Sequence, residues 1–176
     1  KCLCSTGSPL SPESFDFINK FISSEMQIGS ISGGTDILSC FVLNNPLDEV
    51  ISGEIQCRGL GMAVDVFDEE GNSVTDTPGE LVCTKPFPSM PIMFWNDPDG
   101  KKYQEAYFDY YPNVWRHGDW TKLTKRGTLV IFGRSDATLN PGGVRIGTAE
   151  IYKVVESFKE ILESIVIGPV SYTHLT

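Results

Sequence analysis

The middle of the chain constrains its fold most. Between residues 54 and 132, apolar residues come in short runs, and turn-forming residues separate them. Residues 54–57, 63–67 and 80–84 read as short strands, rich in β-branched and apolar side chains. Glu69-Glu70-Gly71-Asn72 and Thr77-Pro78-Gly79 punctuate them. Residues 120–124 and 128–132 flank Lys125-Arg126-Gly127, which reads as a hairpin with a glycine in its turn. Such a pattern builds a β-rich layer.

The two ends read differently. Residues 1–6 predict a strand end, followed by a Gly7-Ser8-Pro9 loop. Ser11-Pro12-Glu13 then has the order of an N-cap, a first-turn proline and an acidic first turn. Phe15, Ile18 and Ile22 follow on one helical face. Residues 27–32 predict a strand that ends at Gly33-Gly34. Residues 133–147 read as a loop. Thr148 is placed to cap a helix carrying Ile151, Val154, Val155 and Phe158, and residues 161–167 predict a strand stopped by Gly168-Pro169. The strand-rich part and this helix–strand part read as different domains that meet near Asp136. No internal repeat is evident.

Charge and cysteine count narrow the function classes. The net charge of −9 comes from 14 basic and 23 acidic residues, which disfavours a surface for nucleic acid or anionic membrane. The five cysteines, an odd number without CxxC spacing, read as reduced thiols in a reducing compartment, so the expected location is the cytosol. His117 and His174 lie too far apart in sequence to suggest a structural zinc site. No apolar run approaches the ~20 residues that span a bilayer, and no signal peptide is visible. The chain starts without Met, and both ends read as cut from something longer.

Five segments carry candidate chemistry, and each has an ordinary alternative. At Gly7-Ser8-Pro9, a glycine lets backbone approach a flat ligand; the alternative is a plain strand-to-helix loop. Ser32-Gly33-Gly34-Thr35-Asp36 combines small residues, a hydroxyl and a carboxylate, which suits a phosphate with Mg²⁺; the alternative is a solvated turn. It is not a Walker loop, since no Gly-Lys-Ser/Thr follows. Asp119, after Gly118, has a carboxylate able to accept both hydroxyls of a ribose, or simply ends a turn. Gly133-Arg134-Ser135-Asp136 places a planar guanidinium at a strand end, with Arg145 eleven residues further on; both arginines also fit a plain surface. His117 has no visible partner for a general-base role.

Taken in order, these segments resemble the AMP-forming acyl-CoA ligases of the adenylate-forming superfamily. Gly133-Arg134-x-Asp136, then Asn140-Pro141-Gly142-Gly143-Val144-Arg145-Ile146-Gly147 and Glu150-Ile151, are similar to its hinge motif. Trp115-x-x-Gly118-Asp119 resembles its ribose-binding motif, and Gly79-Glu80-Leu81 the short strand upstream. Within the superfamily, residues 5–10, 29–36, 59–64, 79–86, 94–97 and 150–158 resemble the acetoacetate-activating branch.

The resemblance implies a mixed α/β fold: residues 1–135 as the β-rich end of a large AMP-binding domain, residues 136–176 as a hinge and the start of a small α+β domain. It implies small-molecule partners: ATP with Mg²⁺, acetoacetate and coenzyme A. By the resemblance, Gly7, Ser8 and Pro9 line the adenine, and Gly33, Gly34 and Thr35 lie at the acyl and phosphate end. Asp36 takes the metal-ligand position, where the family usually has Glu. Asp119 and Arg134 hold the ribose, and Asp136 is the pivot. After rotation Gly143 lets the coenzyme A arm pass and Arg145 meets the phosphate. Acetate-activating members carry an aromatic pair and Gln-Thr-Glu in place of Gly33-Gly34-Thr35-Asp36, so glycine at 33 is expected to leave room for a longer acyl group. Neither a lysine-bearing β/γ-phosphate loop nor the small domain's catalytic lysine is present, so the chain alone is expected to be inactive. The rival readings are a ligase for another small acid and a non-catalytic nucleotide-binding paralogue. The tail 171–176 fits no pattern of the family.

Overall fold

The structure, a computed structural model, describes residues 1–137 and 146–167. Gly143, Arg145 and the tail 171–176 lie outside the described residues.

The chain opens with a βαβ unit. Strand β1 (Cys2–Ser5) leads through the Gly7-Ser8-Pro9 loop into helix α1 (Pro12–Phe17). The expected cap forms: the Ser11 side chain accepts the Ser14 N–H, and proline occupies the first turn. One π-helical turn (Ile18–Ile22) extends α1, closed by the Ser23 N–H donating to Ile18 O. That wider turn breaks the expected spacing: Phe15 and Ile18 are buried, whereas Ile22 is exposed. Strand β2 (Gln27–Ser30) then pairs in parallel with β1. Phe15, Ile18 and Ile28 form a small core, with Leu3, Leu10 and Val50 against it.

Three more strands form a second sheet. β3 (Ser32–Gly34) turns through Thr35-Asp36-Ile37-Leu38 into β4 (Ser39–Leu43), which pairs with the two-residue β5 (Cys57–Arg58). Residues 54–57, expected as one strand, contribute only the Cys57 end and an isolated pairing of Ile55 with Leu129.

The third sheet is the largest. β6 (Val64–Phe67), β7 (Pro78–Cys83), β8 (Trp115–Leu123) and β9 (Leu129–Arg134) pair antiparallel in sequence order. The hairpin around Lys125-Arg126-Gly127 forms as expected. Gly118-Asp119, expected just ahead of a strand, sits inside β8. Before β8 lies helix α2 (Lys101–Tyr107), for which the sequence carried no clear signal. Its Tyr107 ring stacks on Trp115 with centroids 3.6 Å apart. Trp115 is buried with Phe41, Phe87, Leu81 and Leu129 in the main core.

The last described helix, α3 (Thr148–Val155), packs against β9. Its N-cap is Gly147, so Thr148 begins the helix rather than capping it. α3 buries none of its residues. Its contact with β9 is close because side chains are missing: a Cβ on Gly133 would lie 2.8 Å from Thr148 Oγ1, and one on Gly147 would lie 2.5 Å from Phe132 O. Residues 161–167, expected as a strand, adopt no regular structure.

Candidate functional site

The three sheets meet around a cavity of about 220 Å³. Its walls come from the β1–α1 loop (Gly7, Ser8, Pro9), the β2–β3 segment (Ser30 to Gly33), β8 (Asp119) and the end of β9 (Gly133, Arg134). Six residues expected to contact a nucleotide therefore share one cavity: Gly7, Ser8, Pro9, Gly33, Asp119 and Arg134. Arg134 is the only basic side chain among the described residues lining it, beside the carboxylates of Glu54 and Asp119. One guanidinium against two carboxylates suits an uncharged, hydroxyl-bearing group better than a polyphosphate.

Both carboxylate oxygens of Asp119 are held. Its Oδ2 accepts from Ser32 Oγ at 2.8 Å, and its Oδ1 accepts from Arg134 Nη1 at 3.3 Å. The same Nη1 donates to the His117 carbonyl at 3.1 Å, and Arg134 Nε lies 3.5 Å from Asp136 Oδ1. Gly118 makes the arrangement possible. Its φ of +85° belongs to the left-handed region, and a Cβ there would lie 2.5 Å from Arg134 Nη2. Any other residue at 118 strains the backbone and displaces the guanidinium.

His117 sits behind Asp119, with its ring edge-on to Phe41. Its Nε2 is 3.2 Å from the Gly33 carbonyl and 3.7 Å from Asp119 Oδ2. Its Nδ1 is buried with no hydrogen-bond partner among the described residues. Burial pushes its pKa down, against the raising effect of Asp119. The neutral ring with the proton on Nε2 donates to the Gly33 carbonyl, a positioning role rather than that of a base.

No family model matches the chain. It is 62% identical over 168 residues to the acetoacetyl-coenzyme A synthetase of Rhizobium meliloti (strain 1021), covering 96% of this chain and 26% of that protein. Its fold matches the solved acetoacetyl-CoA synthetase of Streptomyces lividans with a TM-score of 0.85 and 52% identity, over 96% of this chain and 26% of that one. The chain is thus similar, over most of its length, to one segment of these acetoacetyl-CoA synthetases. It spans about a quarter of the length of the relatives it matches. The fold extends further: anthranilate CoA ligase AuaEII, solved with anthranoyl-AMP, matches with a TM-score of 0.71 at 18% identity, covering 90% of this chain and 29% of that one.

The other expected residues lie outside the cavity. Gly34 ends β3, and Thr35 and Asp36 occupy the exposed β3–β4 turn. The Tyr107 hydroxyl donates to Asp36 Oδ2, leaving the other carboxylate oxygen for a ligand. Burial, then Asp36 itself, raises the Tyr107 pKa, so the phenol stays a donor. The described residues contain no group of three or more metal-ligating side chains. A lone carboxylate fits Mg²⁺ that arrives on phosphates, because Mg²⁺ commonly takes one or two protein carboxylates plus phosphate oxygens. Asp136 is largely exposed beside Arg134.

Gly33 lines the cavity through its backbone, and the direction a side chain would take there is closed by β4. A Cβ there would lie 2.1 Å from the Ser39 carbonyl oxygen and 2.6 Å from Cys40 Cα, both backbone atoms of β4. Glycine at 33 thus permits the close β3–β4 approach and its register shift after Ser32. A Cβ on Gly34 meets only His117 Cε1, at 3.3 Å.

Sequence reasoning passed over three contributors. Ser32 and Tyr107 act on Asp119 and Asp36 across 87 and 71 residues of sequence, and no local pattern reports such contacts. Glu80 did carry a signal: a carboxylate directly before the apolar run Leu81-Val82-Cys83 of a predicted strand.

Proposed function

We propose that this chain forms the nucleoside-binding part of an AMP-forming acetoacetate–CoA ligase. The observation that carries the reading is the Asp119 carboxylate, held by Ser32 and Arg134 in the wall of the cavity that Gly7-Ser8-Pro9 also lines. A fixed acceptor pair suits two vicinal ribose hydroxyls, and the glycine loop suits a flat base.

In this reading, acetoacetate attacks the α-phosphorus of ATP through a carboxylate oxygen, and pyrophosphate leaves. The coenzyme A thiol, losing its proton, then attacks the acyl carbon, and AMP leaves with the electron pair of the broken C–O bond. The protein supplies position and charge rather than a covalent nucleophile. Gly7, Ser8 and Pro9 line the base, Asp119 and Arg134 hold the ribose, and Gly34 and Thr35 face the phosphates. Asp36 would hold Mg²⁺, which supplies charge neutralisation on the phosphates. Residues 1–135 act as the end of the large domain and residues 136–176 as hinge and small domain, with Asp136 the pivot. Gly143 and Arg145 are assigned to the coenzyme A path and the phosphate by the family resemblance. All five cysteines are free thiols, which supports a cytosolic location. No described helix is long and apolar enough to cross a membrane.

Asp119→Asn tests the reading in the full-length protein. It removes a charged acceptor from each ribose hydroxyl, so kcat/KM for ATP falls at least about tenfold. The KM for acetoacetate changes little. Unaltered ATP kinetics in a folded Asp119→Asn protein refute the assignment.

A further inference from the structure

The strand Gly79-Glu80-Leu81 has no assigned role in the site, yet Glu80 reaches it. Glu80 lies in β7 and is only 5% exposed. Its Oε1 accepts the Gly118 N–H at 2.8 Å. Its Oε2 lies 3.1 Å from Arg116 Nε. The Arg116 guanidinium covers the Tyr110 ring at 4.7 Å and donates from Nη2 to Ser135 Oγ at 3.4 Å. Ser135 in turn donates its N–H to the Gly118 carbonyl at 2.8 Å.

Both backbone polar groups of Gly118 are therefore fixed from outside β8, the N–H by a buried carboxylate and the C=O by the residue after Arg134. These bonds span a strained point. The pairing of β7 with β8 shifts register between Glu80 and Val82, where a ladder bond would otherwise hold Gly118. A left-handed Gly118 has wide conformational freedom, and Asp119 follows directly. Without an external acceptor this irregular point of β8 samples other states, and the carboxylate loses its aim at the cavity. A hydrogen bond to a buried charged acceptor is about twice as strong as a neutral one, which suits it to this task.

We propose that Glu80 is a positioning residue for the ribose site: through the Gly118 N–H it sets the orientation of the Asp119 carboxylate, and through Arg116 it joins that setting to Ser135, beside the Asp136 pivot. The proposal rests on Asp119 being the ribose ligand. Glu80 itself touches no substrate.

The test measures ribose-hydroxyl selectivity, which a purely structural role does not move. The full-length protein is titrated calorimetrically with ATP and with 2′,3′-dideoxy-ATP, and the ratio of dissociation constants is compared between variants. Glu80→Gln keeps an acceptor for Gly118 but removes the charge, and lowers the preference for ATP about threefold. Glu80→Leu removes the acceptor and lowers it about tenfold. Affinity for the dideoxy nucleotide stays near that of the parent in both. The proposal is overturned if both variants keep the parental ratio, or if Glu80→Gln keeps it where Glu80→Leu does not fold. Asp119→Asn serves as the reference: if it too keeps the parental ratio, the ribose reading itself fails; if it alone collapses the ratio, only the role of Glu80 fails.

Discussion

The two walls of the cavity stand on unequal foundations. The Asp119–Arg134 wall belongs to the four-stranded antiparallel sheet, whose core includes Trp115, Leu81 and Leu129. The Gly7-Ser8-Pro9 wall belongs to a two-stranded parallel pair with a core of three buried residues. Antiparallel strands joined by hairpins can complete a sheet locally, whereas parallel sheets are normally wide and covered on both faces. In this chain the first wall holds a charged, multiply bonded side chain, and the second offers mainly the backbone of Gly7-Ser8-Pro9.

Replacing the anchors of each wall separates the two. Trp115→Ala removes the centre of the aromatic cluster and costs about 5 kcal/mol, while Phe15→Ala, in the smaller core, costs about 3 kcal/mol. Urea midpoints of the two variants check the order. Equal losses would mean that the parallel pair is as firmly built as the sheet.

A smaller difference is expected at the junction of the walls. Gly33→Ala forces β3 from β4 and destabilises by about 2 kcal/mol, whereas Gly34→Ala, which meets only one imidazole carbon, stays within about 1 kcal/mol. Thermal midpoints distinguish them. If Gly33→Ala is as stable as Gly34→Ala, the β3–β4 backbone contact does not require glycine.

The smallest effect concerns pH. The folded-state pKa of His117 lies below its unfolded value of about 6.5. As pH falls through that unfolded value, the unfolded chain takes up the proton first, and stability declines towards the folded pKa. Above pH 6.5 the contribution is complete and flat. His117→Gln should remove this part of the acid slope, measured as urea midpoints between pH 7 and 5. An unchanged slope would place the titration elsewhere.

Much of this was legible in the sequence, for identifiable reasons. Ser11 and Pro12 start a helix by local chemistry, and the hairpin around Gly127 is set by its own turn, so both appeared where expected. The six cavity residues were found through ordered motifs. Pairwise matches across the sheets were not legible: Ser32 with Asp119, Tyr107 with Asp36, and β4 behind Gly33 depend on register, which local pattern does not fix. Ile22 left its expected face because a π-turn follows α1. Residues 161–167 have strand-like composition but pair with no strand among the described residues, and composition alone does not make a strand.

The meeting of α3 with β9 has a mechanical consequence. The two elements touch where Gly133 and Gly147 have nothing to interlock, and α3 buries no side chain. The ion pair between Lys153 and Glu13 adds a fastening at 3.1 Å, but both ends are solvated, and such pairs contribute little in salt. At these two glycines no knob is seated in a hole, and the apolar side chains of α3 that face inward, Ile151 and Val155, are only half-buried. The seam is a lightly packed joint, lying next to the Arg134 that grips Asp119.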